Sequence, residues 1–219
     1  MQSHTHDLFD RAAPGASHER LAPGAWLLRG FALGLVRALL TAVESIQTAA
    51  PFRHQVTPGG FRMSVAMTNC GSLGWVSDSR GYRYDAVDPS SGRAWPPMPA
   101  VFLELAQTAA LAGGFPGFTP DACLLNRYEP GARLTLHQDK DERDFGAPIV
   151  SVSLGLPAIF LLGGDSRKDK LQRIPLQHGD VLVWGGPARL RHHGVLALAD
   201  GHHCVLGAQR LNLTLRHAG

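Results

Sequence analysis

Arg210-Leu211-Asn212-Leu213-Thr214-Leu215-Arg216 alternates apolar and polar side chains without exception. Successive side chains of a strand point to opposite faces, so the leucines share one face and Arg210, Asn212, Thr214 and Arg216 the other. On a surface sheet the polar row would lie in water. Inside a double sheet it lines a lumen, where two guanidiniums stay uncompensated until an anion meets them. The strands that precede this segment decide between the two. After Asp121, short β-rich runs recur at 122–128, 133–139, 149–155, 158–162, 172–176, 180–184 and 194–198, before the last at 209–216. Pro130-Gly131, Gly163-Gly164, Gly179-Asp180 and Gly185-Gly186 supply turns between most of them. Short strands with no helical pattern between them predict antiparallel pairing in a double-sheet jelly roll over 121–217.

Further upstream the period changes. Phe31, Leu35, Val36, Leu39, Leu40, Val43 and Ile46 recur at three- and four-residue steps and predict an amphipathic helix over Phe31–Thr48, ended by Pro51. A second helix is expected from Pro99 to Leu111, with Phe102, Leu105, Ala106 and Ala109 on its face and Gly113-Gly114 as its stop. The expected fold class is therefore α+β, mainly β: a double-stranded β-helix (jelly roll) core buttressed by two N-terminal helices on which the leucines of 210–216 pack. Residues 52–97 are rich in Gly, Ser, Arg and aromatics without a long apolar run, and 1–25 read as an irregular lead-in. No repeat or linker divides the chain, so 1–219 is read as a single domain, expected to be a monomer.

Composition narrows the function classes. An apolar fraction of 44% supports a buried core and excludes a disordered chain. No stretch approaches the ~18 apolar residues of a membrane span, and Met1–Arg20 has no apolar signal-peptide core. Cys70, Cys123 and Cys204 are widely spaced and odd in number, which fits reduced thiols and a cytoplasmic location better than a disulfide framework. A net charge of +3 permits a polyanion partner without demanding one. The 11 histidines are the unusual count, since each is a competent metal ligand.

Arg133-Leu-Thr-Leu-His137-Gln-Asp139 also alternates, placing His137 and Asp139 on one face of a strand, about 6.6 Å apart along it. An imidazole and a carboxylate so spaced are two-thirds of the 2-His-1-carboxylate triad that holds non-haem iron. The spacing alone is weak, because His178-Gly179-Asp180 repeats it. There the central glycine, just before Val181-Leu-Val-Trp184, reads as a tight turn opening a strand. Candidates for the third ligand are His192, His193, His202 and His203. His193 precedes the small Gly194; His192 points the other way on an extended segment, so only one of that pair can serve. Zinc is the rival metal, but no Cys-x-x-Cys pair exists for a structural site. A dicarboxylate that chelates iron at one end and meets arginine at the other satisfies both the triad and the 210–216 row, which is the physical case for 2-oxoglutarate.

Taken in order, Asn126-Arg-Tyr-Glu-Pro-Gly, Leu136-His-Gln-Asp-Lys-Asp-Glu142, Ile149-Val-Ser-Val-Ser-Leu-Gly, His178-Gly-Asp-Val-Leu-Val-Trp-Gly-Gly, His193-Gly and Arg210-Leu-Asn-Leu-Thr-Leu-Arg216 resemble the AlkB family. Its members are iron(II)/2-oxoglutarate dioxygenases that repair alkylated nucleic acid bases. The likeness extends to Thr57-Pro-Gly-Gly, Met63-Ser-Val-Ala-Met-Thr-Asn-Cys-Gly and Gly74-Trp75, and so covers roughly 25–218. It implies His137, Asp139 and His193 as iron(II) ligands. It implies Asn126, Tyr128, Arg210, Asn212 and Arg216 as 2-oxoglutarate contacts, with Arg210 on the distal carboxylate, and O2 as the second co-substrate. Trp75, Tyr82, Tyr84, Asp141 and Arg167 match positions that hold the damaged nucleotide. Two departures stand out: His192 replaces a common aromatic before the third ligand, and Arg83 sits between the tyrosines where an apolar residue is usual.

The resemblance implies oxidative demethylation of N1-methyladenine and N3-methylcytosine in DNA, and by extension RNA, with release of formaldehyde, succinate and CO2. Such bases are cationic, and Asp141 is expected to face that charge, against the plainer reading of a solvated charge run. A base within a duplex must be flipped or already single-stranded to reach a buried metal. Residues 52–97 are then a nucleotide-recognition lid, with Trp75 stacking and Arg53, Arg62, Arg80, Arg83 and Arg93 holding phosphates. Trp95, Trp26 and Trp184 read as packing. Two alternatives remain at this stage: a hydroxylase of the same chemistry acting on a protein or small metabolite, and a nucleic-acid-binding module with a dead site.

Overall fold

The computed structural model describes residues 17–219. The chain forms β1 (His18–Ala22), β2 (Ala25–Leu28), α1 (Val36–Ala49), β3 (Arg53–Val56), β4 (Arg62–Gly71), β5 (Gly74–Asp78), β6 (Gly81–Asp85) and α2 (Ala100–Ala112). It continues with β7 (Ala122–Tyr128), β8 (Leu134–His137), β9 (Ile149–Gly155), β10 (Ala158–Leu162), β11 (Gln172–Leu176), β12 (Val181–Trp184), β13 (His193–Val195) and β14 (Arg210–Arg216). Eight strands form one sheet in the order β1-β2-β12-β9-β14-β7-β4-β3; a second sheet runs β11-β10-β13-β8; β5 and β6 pair by themselves. The fold is mostly β with two helices, as the sequence pattern requires.

β14 lies inside the large sheet, with Asn212 opposite Asn126 on β7 and Ser153 on β9. Its two faces part as the alternation demands. Leu211, Leu213 and Leu215 join one core with Leu39, Val43 and Ile46 of α1 and Phe102, Leu105 and Ala109 of α2. Each such leucine contributes about 1.5–3 kcal/mol through removal from water. A second core, with Leu27, Met67, Tyr128, Phe160, Leu182, Trp184 and Val195, joins the opposite face to the four-stranded sheet. Arg210, Asn212, Thr214 and Arg216 are buried on that inner side.

Several expectations shift. The first turn of the expected Phe31–Thr48 helix is a 3₁₀ turn at Leu33–Leu35, and the α-helix begins at Val36; Gly34 lies in that turn and weakens regular α-helix there. The expected strand 133–139 stops at His137, so Asp139 and Asp141 lie in the following loop rather than on a strand face. Of the lead-in expected over 1–25, residues 1–16 lie outside the described residues. Residues 18–22 are not irregular: they form β1, which pairs with β2, itself paired with β12. The β1–β2 hairpin turns locally at Pro23-Gly24, but its attachment to β12 spans more than 150 residues and leaves no local sequence signal.

The expected lid at 52–97 divides likewise. β3 and β4 extend the large sheet through β7, and the β5–β6 hairpin alone stands outside it. β4 escaped notice because Val65-Ala-Met-Thr-Asn-Cys70 is buried throughout while mixing polar and apolar residues, so it has neither period two nor a continuous apolar run. Among the described residues no helix is long and apolar enough to cross a membrane.

Candidate active site

The antiparallel partner of His137 on β8 is His193 on β13. Gly194 permits the close approach: a Cβ there would lie 2.8 Å from the Leu134 carbonyl oxygen. Both imidazoles are oriented by the backbone. Nδ1 of His137 lies 2.8 Å from the Thr135 carbonyl and Nδ1 of His193 lies 3.0 Å from that of Arg191. A carbonyl only accepts, so each Nδ1 carries a proton, and in the neutral ring that tautomer leaves the Nε2 lone pair free. Those lone pairs face Asp139: His137 Nε2 is 3.6 Å from Oδ1 and His193 Nε2 is 3.4 Å from Oδ2. One potential ligand atom from each of the three lies within 4.8 Å of the others. This donor set fits a divalent metal that takes nitrogen and oxygen ligands and leaves positions open.

Electrostatics suit the same role. Burial and the neighbouring His193 push His137 down to about 4, so its imidazole is neutral. Burial would raise Asp139, but the Arg216 guanidinium and the two imidazoles hold its carboxyl well below the usual range. The His193 ring is wedged between Phe160 and Trp184, with centroids 5.8 and 5.2 Å away. His192 lines the same cleft but lies outside the cluster. His178 and His203 accept backbone N–H groups at Nδ1, which protonates Nε2 in the neutral form and unsuits both for a metal. Asp180 instead accepts from the Gly30 and Gln177 N–H groups and pairs with Arg29, and Gly179 turns the chain at φ +88°, so the second His-x-Asp triplet is a turn.

The inner face of β14 supplies the rest of a cleft of about 870 Å³. Asn126 donates to Asn212 Oδ1 at 3.2 Å, and Asn212 donates to Ser151 Oγ and the Val152 carbonyl. Arg210 is 1% exposed, meets no carboxylate, and donates to Ser153 Oγ at 3.0 Å while Nε and Nη1 find no partner. Its guanidinium lies 4.9 Å from the Tyr128 ring, whose buried hydroxyl is also unpartnered. Burial pushes that phenol up to about 12, so it remains a donor. Unpaired buried donors around a cation form a receptor for an anionic oxygen group.

Arg216 behaves differently from expectation. Its Nη2 donates to Asp139 Oδ2 at 2.7 Å and its Nε faces Glu142 Oε1 at 3.3 Å, so protein carboxylates already compensate it. Trp75, Tyr82, Asp141 and Arg167 line the cleft. Trp75 stacks on Tyr82 at 5.6 Å and donates from Nε1 to Asp141 Oδ2 at 2.8 Å. Tyr84 does not line the cleft; it donates to Glu142 Oε1 at 2.9 Å and accepts from Arg216 Nη1. Of the arginines expected on phosphates, Arg53 pairs with buried Asp88, and Arg83 forms two parallel bonds to Asp78 at 3.0 Å. Arg62 lines the cleft, joined by Arg133, Lys140 and Arg167. Trp95 is packed, donating to the Asp85 carbonyl. Sequence reasoning passed over Ser151 and Ser153, legible as an inward pair on β9, and Glu142 and Arg189, which sit in loops without a period.

The profile of the 2OG-Fe(II) oxygenase superfamily matches residues 24–216. The chain is 54% identical over 213 residues to the alpha-ketoglutarate-dependent dioxygenase AlkB of Escherichia coli, covering 97% of this chain and 98% of that relative. It is 48% identical over 183 residues to the AlkB homolog of Caulobacter vibrioides, covering 83% and 81% respectively. Among solved structures, that of OsALKBH1 superposes with a TM-score of 0.79 at 30% identity, over 92% of this chain and all of that one.

Proposed function

We propose, from the premise that this chain belongs to the 2OG-Fe(II) oxygenase superfamily and within it to the AlkB family, that it removes alkyl groups oxidatively from ring nitrogens of nucleic acid bases. It is an enzyme, an alpha-ketoglutarate-dependent dioxygenase. The two facing sheets form the double-stranded β-helix of this reading, α1 and α2 buttress it, and the β5–β6 hairpin is the recognition lid. The reading includes a monomer acting in the cytoplasm on DNA, and on RNA by the same contacts.

His137, Asp139 and His193 would hold iron(II). When bound, the iron with 2-oxoglutarate and O2 supplies the oxidising power to hydroxylate an N-methyl group, yielding succinate, CO2 and formaldehyde. The protein's own part is to bind, orient and exclude water. Arg210 and Tyr128 receive the distal carboxylate of 2-oxoglutarate; Asn126 and Asn212 shape the wall beside it. Arg216 locks the Asp139 carboxylate rather than holding co-substrate alone. The Trp75–Tyr82 stack offers a π-surface for an extruded base, worth about 1–3 kcal/mol. Asp141 faces the positive charge of N1-methyladenine or N3-methylcytosine. Arg62, Arg133, Lys140 and Arg167 at the rim meet phosphates, and alkylation of a pairing nitrogen lowers the cost of flipping.

The observation that carries this reading is the His-Asp-His cluster in one cleft with an unpaired, buried Arg210. The test is an aerobic assay with Fe(II), 2-oxoglutarate and a single-stranded oligonucleotide containing N1-methyladenine. Formaldehyde and an unmethylated base are expected, both lost in His137→Ala. Succinate formed only on adding a peptide or metabolite, with no formaldehyde from the oligonucleotide, would overturn the nucleic acid substrate.

A further inference from the structure

We propose that Arg189 is a positioning residue for the metal centre, its guanidinium fixing the loop that presents Asp139 to the two imidazoles. The inference rests on the reading of His137, Asp139 and His193 as metal ligands and adds a residue outside that set. The segment 138–148 between β8 and β9 contains neither helix nor strand, yet it carries Asp139 and Asp141. Without a ladder of its own, and with the Arg143 N–H bonded to the Ala218 carbonyl at 3.2 Å, it relies largely on side chains to hold it. Arg189 is 2% exposed and follows the 3₁₀ turn Gly186–Ala188. Its Nη1 donates to the Asp139 carbonyl at 2.8 Å, its Nε to the Ala147 carbonyl at 3.1 Å, and its Nη2 pairs with Glu142 Oε2 at 3.1 Å. The guanidinium also lies 5.3 Å from the Phe145 ring centroid. One rigid fork thus touches the segment at 139, 142, 145 and 147. A planar group with five donors can do this; a lysine ammonium of the same charge cannot.

Glu142 carries the constraint onward. Its Oε1 accepts from Tyr84 and faces Arg216 Nε, and Arg216 in turn grips Asp139 Oδ2. The Asp139 main chain is therefore held by Arg189 and its carboxylate by Arg216, with Glu142 between them. Two buried cations meet two carboxylates, so each member leaves another uncompensated when removed. Arg189 also precedes His193 by four residues, so the stretch 189–193 supplies one ligand and holds the loop of another. Through Trp75 and Asp141, the same loop touches the expected base platform.

The test is anaerobic Mn(II) titration of the metal-free protein, read by the free-ion electron paramagnetic resonance signal, with amide hydrogen exchange on the same samples. Partners of metal ligands typically cost 10–100-fold in metal affinity when changed, and Arg189→Lys should weaken Mn(II) binding by about that factor. Exchange should accelerate in 139–147 and stay unchanged in β9 and β14. In Arg189→Ala, guanidinium ion at tens of millimolar should restore binding where sodium does not. Arg189→Lys keeps the buried charge opposite Glu142 and carries the test if Arg189→Ala fails to fold. Arg189→Lys binding Mn(II) within twofold of wild type, or exchange rising everywhere alike, overturns this proposal alone. Wild type that does not bind Mn(II), or binds it equally well as His137→Ala, overturns the underlying metal reading instead.

Discussion

Arg210 and Arg216 stand three pleat repeats apart on one strand face, yet their surroundings differ sharply. Arg210 is a buried cation without a counter-charge, and burial alone pulls its guanidinium below the ordinary value. Arg216 is held among Asp139, Glu142 and Tyr84. Replacing an uncompensated charge by a hydrophobe of similar length removes a desolvation cost, whereas removing one partner of a buried pair strands the other. Arg210→Met should therefore leave the melting temperature of the metal-free protein unchanged or raise it. Its calorimetric affinity for 2-oxoglutarate, with Mn(II) present, should fall about 10- to 150-fold, the equivalent of a charge-assisted contact of about 1.5–3 kcal/mol. Arg216→Met should instead lower the melting temperature. A drop in both variants would make Arg210 a structural cation and remove it as the co-substrate anchor.

At the scale of the element, the pairing of β13 with β8 is what turns two distant histidines into neighbours. Their ring centroids are 4.4 Å apart, and the ladder shifts register between His193 and Val195. The strands touch at Gly194, where an added methyl would press on the Leu134 carbonyl and the Thr135 main chain at 2.8 and 3.2 Å. Backbone cannot yield as a flexible side chain does. Gly194→Ala should cost about 1–3 kcal/mol in urea denaturation, the usual range for overpacking. It should weaken Mn(II) binding as well, because the displaced strand carries His193. Loss of stability with metal affinity intact would show that the strand separation does not control the ligand geometry.

For the molecule as a whole, the formal charge of +3 understates the cationic rim of the cleft, where Arg62, Arg133, Lys140 and Arg167 gather. Each phosphate neutralised on a single strand contributes about −0.7 to the slope of log affinity against log salt. Four contacts predict a slope near −3 for a methylated oligonucleotide, measured by fluorescence anisotropy, and Arg167→Ala should flatten it by about 0.7. A slope near zero would remove the rim as a phosphate track. The arginines of the β5–β6 hairpin contribute little to this field, since Arg83 and Arg80 both pair with Asp78.

Periodicity alone was enough for the outline of the strands in the second half of the chain, though not for where each one ends. The unbroken alternation of 210–216 separates leucines from polar residues before any coordinates are drawn, and α1, α2 and the strands from β7 to β14 follow from local patterns. His137 and Asp139 are legible as a pair because only Gln138 lies between them, and the family's ordered motifs single out His193 from its neighbouring histidines. Other features depend on contacts between residues far apart in the chain. β1 and β2 join the sheet through β12, β4 is buried on both faces and lacks a period, and Asp139 leaves the strand expected to carry it. Only packing decides that Arg53 and Arg83 are spent on Asp88 and Asp78, that Arg216 is neutralised while Arg210 is not, and that Arg189 reaches a loop some fifty residues away. The physical reason is common to all of them. Hydrophobic period is a property of one segment, while the compensation of a buried charge is a property of every segment that closes around it.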